Sequence, residues 1–131
     1  MKHKYALGIK EMDTQHEKIL ELAHQAQDST LEEIDMQKLI VDLVNYAKFH
    51  LEEEEALLRS HRQFEFLEEH IKLHDVFREH SMDIYHRFRA AETEDERRAL
   101  LHRVAAFCES WLRNHIDIED RKYVTLVNEG P

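Results

Sequence analysis

Only two glycines and one proline punctuate a chain of 131 residues, and the proline is the terminal Pro131. Glycine and proline interrupt helices and make tight turns. A chain that nearly lacks them, and is rich in Leu, Glu, Lys, Arg, Ala and His, favours helix over strand. Its length suits one domain, 1–131, able to bury a single core without disulfides.

Three stretches carry the T-x-x-E spacing in which a threonine caps an amide three residues on and a glutamate reaches back: Thr14 to Glu17, Thr30 to Glu33 and Thr93 to Glu96. Ser60 to Gln63 supplies a fourth break, in a turn that reads HRQ. These signals predict an all-α chain. Its helices should run over about 13–28, 31–60, 64–91 and 94–115, with a short C-terminal segment after 120 and boundaries good to roughly 2–4 residues. Short connections make the architecture an up-down-up-down antiparallel four-helix bundle.

Spacings that alternate between three and four trace the inward seam of each helix. The first gives Met12, His16, Ile19, Ala23 and Ala26. The second gives Leu43, Ala47, His50, Glu54 and Leu57. The third gives His70, His74, Phe77, Ser81, Ile84 and Phe88, and the fourth Leu101, Val104, Cys108, Trp111 and His115. Five histidines and one glutamate therefore sit on apolar seams. Side chains four apart share a helix face, so His70 and His74 project inward together, with Leu73 and Phe77 placed on their side.

Depth sharpens the pattern. In an up-down-up-down bundle the start of the first helix, the end of the second, the start of the third and the end of the fourth meet at one end. At about 1.5 Å per residue the six ionisable side chains fall in one layer there. Burying each without a partner costs on the order of 1–3 kcal/mol, more if charged, and a metal removes that cost. Imidazoles with a minority of carboxylate suit iron, copper, nickel or zinc. The lack of clustered cysteines argues against structural zinc or an iron–sulfur centre. Five imidazoles exceed what one ion sharing Glu54 can use, so two ions are implied.

Charge and targeting features narrow the function classes. A net charge of −10 with no basic patch argues against a nucleic-acid surface. No segment approaches the roughly 20 apolar residues that span a bilayer, and the stretch from Tyr5 to Ile9 is too short for a signal-peptide core. The single Cys108 suits a reducing compartment, so the expectation is a cytoplasmic protein without membrane or nucleic-acid partners.

The segments IKEMDTQHEKIL (9–20), HLEEEEALL (50–58), HIKLH (70–74) and WLRNHIDIED (111–120) together resemble the hemerythrin family, in particular its single-domain bacterial members, and the likeness runs nearly end to end. The resemblance implies two non-haem irons. His16, His50, His70, His74 and His115 would be terminal ligands, and Glu54 and Asp120 would bridge the ions together with an oxo or hydroxo group. Asp120 lies five residues past His115, about 140° around an ideal helix, so a π-type turn or the helix end is predicted between Asn114 and Asp120. Two roughly octahedral irons need about twelve bonds, and the implied set leaves one position open for a small end-on ligand.

That ligand, by resemblance, is dioxygen, which takes two electrons from the irons and returns them on release without net turnover. Storage, transport or scavenging of oxygen is the implied function. Ile19, Leu112 and Ile116 would surround the bound gas, with Leu51 and Trp111 completing an apolar wall, and Tyr123 would support a bridging carboxylate from outside the ligand set. Three positions depart from the family pattern: Leu51 stands where Phe is usual, HRQF where a Gly-Tyr-Pro turn is common, and Tyr5 where Trp is frequent. Leu51 keeps a redox enzyme in view, reducing peroxide or nitric oxide. A sensor acting through a partner is a further alternative, and an oxygen-consuming enzyme or a redox protein the implied partner. A histidine phosphotransfer bundle needs one exposed histidine, which these five inward ones contradict. His3, His24, His61, His80, His86 and His102 read as surface or rim residues, with His61 close enough to the seam to accept a proton there. Glu52, Glu53, Glu55, Asp117 and Glu119 read as a solvated acidic collar.

Overall fold

The computed structural model describes residues 7–61, 65–124 and 127. Four helices follow one another: α1 (Lys10–Gln25), α2 (Glu33–Arg59), α3 (Leu67–Ala90) and α4 (Glu94–Ile118). A single 3-10 turn closes the described fold at Asp120–Tyr123. Each helix packs on its neighbours in sequence, and α1 closes the ring against α4. The result is the antiparallel four-helix bundle that the seam predicts. No described helix is long and apolar enough to cross a membrane.

The caps explain where the boundaries moved. Thr93 behaves as expected: its hydroxyl accepts from the Glu96 amide at 3.1 Å, and the Glu96 carboxylate reaches back to the Glu92 amide at 3.2 Å. Thr14 instead lies inside α1. The helix starts earlier because Asp13 reaches back to the amides of Leu7 and Gly8 at 2.7 and 3.0 Å, and Gly8 takes a φ of 81° that a side chain would resist. Thr30 is held in the loop, where its amide and hydroxyl both donate to Asp28 at 2.8 and 2.7 Å, so α2 begins only at Glu33. Tyr5, His3, the expected start of the third helix at Phe64 and most of the HRQF turn lie outside the described residues.

On α3 the buried residues are His70, His74, Phe77, Ser81, Ile84 and Phe88, the six that the seam names. Leu73 departs from it and stays exposed. On α2 the stripe widens: Leu58 is fully buried where Leu57 is half-buried, and Leu51 and Glu55 join the interior. On α4, Trp111 is half-buried and Leu112 takes the interior position beside it. These shifts follow from a 3.6-residue helix drifting against a 3.5-residue seam. Cys108 is buried, and burial pushes its thiol up to about 12, so it remains a protonated core residue.

Candidate metal centre

His16 comes from α1, His50 and Glu54 from α2, His70 and His74 from α3, His115 from α4 and Asp120 from the following turn, and all are buried. The fold brings every candidate ligand to one end of the bundle. Asp120 gets there because α4 stops at Ile118 and the chain tightens into a 3-10 turn. The helix end, not a π-type turn, is what rotates this side chain back toward His115.

The seven side chains divide into two sets. In the first, Glu54 Oε1 lies 2.7 Å from His70 Nε2, 2.9 Å from His74 Nε2 and 3.6 Å from His115 Nε2. Asp120 Oδ1 lies 3.1 Å from His70 Nε2 and 3.0 Å from His115 Nε2. In the second, the other oxygens of the same carboxylates face the other two rings: Glu54 Oε2 is 3.9 Å from His50 Nε2, and Asp120 Oδ2 is 3.5 Å from His16 Nε2. Each carboxylate thus presents one oxygen to a group of three imidazoles and one to a group of two.

These residues fit metal ions. His115 Nε2 lies 3.0 Å from both His70 Nε2 and His74 Nε2. Two donors bonded at about 2.1 Å and at right angles to one ion lie about 3.0 Å apart. Neither nitrogen of the buried His16 ring, nor Nε2 of His50, has a hydrogen-bond partner among the described residues. Buried polar atoms are rarely left so. His50 Nδ1 donates to Gln15 Oε1 at 2.7 Å and His74 Nδ1 to Glu55 Oε2 at 2.8 Å, the outward hydrogen bonds that aim an Nε2 lone pair at a metal.

Charge in the metal-free chain points the same way. Burial alone would raise the Glu54 carboxyl, but hydrogen bonds from His115, His70 and His74 hold it well below the usual carboxylate range. Burial and the nearby Glu54 charge would raise Asp120, yet the close approach of His115, His16 and His70 depresses it strongly. Burial opposes a charge on His115, but Asp120 and Glu54 outweigh it and lift this imidazole to about 9; His70 is raised for the same reasons. His50, dominated by burial, falls to about 3. Without an ion, protons on the three-imidazole side take the place of positive charge that the carboxylates require.

The surroundings are mostly apolar. Ile19, Leu51, Leu112 and Ile116 are buried, and the half-buried Trp111 stacks on His115 with ring centroids 4.3 Å apart and planes 14° from parallel. Tyr123 is fully buried and donates from its hydroxyl to Glu54 Oε2 at 2.7 Å. Two residues escaped the sequence reading. Glu55 is no part of a solvated collar: it is buried, accepts from His74 and pairs with Arg78 at 2.8 Å, while Glu52, Glu53 and Asp117 are exposed. Arg78, one turn beyond His74, was the available signal, since a cation on that face asks for a carboxylate. Gln15, buried beside His16, is the other. His61 caps the end of α2 through Leu57 O at 3.0 Å, and His24, His80 and His86 are exposed.

Four helices enclosing two carboxylates and five imidazoles define a helical-bundle metal-binding protein. The hemerythrin HHE cation binding domain matches residues 7–127, and the chain belongs to that family. It is similar to the bacteriohemerythrin of Pseudomonas paraeruginosa, 35% identical over 127 residues that cover 94% of this chain and 77% of that protein. The bacteriohemerythrin of Clostridium acetobutylicum is 29% identical over 129 residues, covering 94% and 96% respectively. No solved structure matches the chain.

Proposed function

We propose that this chain binds dioxygen reversibly at a pair of non-haem irons and serves oxygen storage, transport or scavenging, without net turnover of a substrate. The observation that carries this reading is the division of five buried imidazoles into three and two around carboxylates that face both groups. His70, His74 and His115 would hold one iron, His16 and His50 the other, and Glu54 and Asp120 would bridge them. A ferrous pair held there would supply the two electrons of reversible dioxygen binding.

The remaining steps belong to the chain. Glu54 and Asp120 bring two negative charges into a dry site and so favour a pair of cations over protons. With three imidazoles on one side and two on the other, the His16 and His50 side would keep the open position. Ile19, Leu51, Leu112 and Ile116 exclude water from it, which slows proton access and the escape of reduced oxygen. Leu51 is only 1% exposed, so the smaller side chain at this position still seals its part of the wall. Tyr123 keeps its proton, because burial and the charges of Asp120 and Glu54 push its hydroxyl far above its usual range, and the Tyr123 hydroxyl therefore remains a donor to Glu54. The cytoplasm is the proposed compartment, supported by the single thiol, and an oxygen-consuming enzyme or a redox protein is the proposed partner.

The test is anaerobic ferrous loading of the metal-free chain with metal counting, followed by cycles of air and vacuum under visible spectroscopy. Two irons per chain and a charge-transfer band that appears and vanishes reversibly are expected. Immediate oxidation to a stable diferric form would replace carriage with redox catalysis or sensing.

A further inference from the structure

Two imidazoles of the site have outward partners that differ in charge. On the three-imidazole side, His74 Nδ1 donates to Glu55 Oε2 at 2.8 Å. Glu55 is 6% exposed and is held from outside by Arg78, whose Nη2 reaches the same oxygen at 2.8 Å while its Nη1 reaches Asp75 Oδ1 at 2.9 Å. On the two-imidazole side, His50 Nδ1 donates at 2.7 Å to Gln15 Oε1, a neutral amide that is 8% exposed.

Both acceptors fix the tautomer that aims Nε2 at an ion. Only the carboxylate also draws the Nδ1 proton outward, which shifts electron density across the ring and makes Nε2 the stronger donor. Arg78 tethers Glu55 to α3, the helix that carries His74, so carboxylate and ring keep one relative position. The side with the extra imidazole is thus also the side with the charged support. Once an ion occupies it, its positive charge opposes a second nearby, which widens the difference between the two positions.

We propose that the centre fills in a fixed order: the first divalent ion enters between His70, His74 and His115, and Glu55 is the positioning residue that makes this the tighter position. Gln15 keeps the His16 and His50 position weaker, so the ion beside the open position is the one that exchanges. This rests on the two-ion reading of the site, and deepens it.

The test is titration of the full-length metal-free chain with cobalt(II) under argon, read by visible absorption and calorimetry, with far-UV circular dichroism to check folding. The parent chain should take two cobalt ions in two resolved steps. Glu55→Gln should weaken the first step by about 10–100-fold while the second moves far less, and Gln15→Glu should tighten the second. Glu52→Gln, an equal charge change at an exposed position on the same helix, should leave both steps in place. In the zinc-loaded chain the His74 Nδ1 proton resonance, deshielded by the carboxylate, should move upfield in Glu55→Gln, a change that lost packing would not produce. Two equal steps in the parent, or a folded Glu55→Gln variant whose first step is unaltered, would overturn the order while leaving two ions in place. A parent chain that binds fewer than two ions would overturn the two-ion reading itself.

Discussion

At one end of the bundle, where α2 stops and α3 starts, five imidazoles, two carboxylates and the Tyr123 hydroxyl are buried together. At the other, Met36 and Ile40 from α2, Ile84 and Phe88 from α3 and Leu101 from α4 fill the same interior with apolar side chains, each no more than 3% exposed. The two ends are buried at very different cost. Apolar burial contributes about 25 cal/mol per Å² with nothing further required. Polar burial must be offset group by group, and at this end the groups offset one another only in part: both His16 nitrogens and His50 Nε2 have no hydrogen-bond partner among the described residues. Stability is therefore intrinsic at the apolar end and conditional on an ion at the polar one.

Glu54→Ala should separate the ends most sharply. Glu54 is common to both of the close ligand groupings, His70 with His74 and His115, and His16 with His50. Its loss should weaken both ions by more than about 100-fold, since second-sphere changes alone cost 10–100-fold, and the circular dichroism should stay helical. Metal counting that still finds two tightly held ions would break the comparison. Leu101→Ala works from the other end. A fully buried leucine cut to alanine should lower unfolding stability by about 2–5 kcal/mol in urea titration and leave metal stoichiometry at two. A variant that loses its ions while still folded would mean that the ends are not separable.

The two ends also differed in how far the sequence disclosed them. At the apolar end periodicity sufficed for α3 and α4, where the seam positions Ile84, Phe88 and Leu101 are buried, because a helix packed on both flanks leaves no choice of face; Met36 and Ile40 lay before the stretch of α2 that the seam named. The polar end was legible as far as the seam reached it, through His16, His50, Glu54, His70, His74 and His115. Asp120 was beyond that logic. Its direction depends on α4 ending at Ile118, which no spacing rule fixes, and only the family resemblance singled it out. Glu55 was misread for a related reason. Within the run Glu52 to Glu55 spacing turns Glu54 inward, and that Glu55 follows it is decided by Arg78 and His74 on the neighbouring helix. The Thr14 and Thr30 caps failed because Asp13 and Asp28 compete for nearby amides.

Acid and base should distinguish protons from metal at the polar end. In the metal-free chain His115 is raised from its ordinary range to about 9, so its contribution is fully present below the unfolded value near 6.5 and is lost as pH rises through 9. His50, lowered to about 3, works oppositely: its contribution is present above about 6.5 and is lost as pH falls toward 3. The melting temperature of the metal-free chain should therefore peak near neutrality and fall on both sides. With metal bound, the ion replaces the proton on His115, and the decline between pH 6.5 and 9 should disappear. A metal-free chain with a flat profile over that interval would show that protons do not substitute for the ions.

The smallest effect is expected from Tyr123→Phe, and it resolves the polar end into its halves. The Tyr123 hydroxyl donates at 2.7 Å to Glu54 Oε2, the oxygen on the His50 side, whereas Oε1 faces His70 and His74. Removing one donor to a charged acceptor costs about 1.5–3 kcal/mol where nothing replaces it. Here a bound ion draws on the same oxygen and recovers part of that loss. Metal-free Tyr123→Phe should therefore melt earlier by more than the loaded form does. In cobalt titration the step assigned to the His16 and His50 side should weaken by up to about tenfold, with the other step little changed. An equal loss in both steps would mean that Glu54 responds as one rigid unit, and that the division between its oxygens has no energetic counterpart.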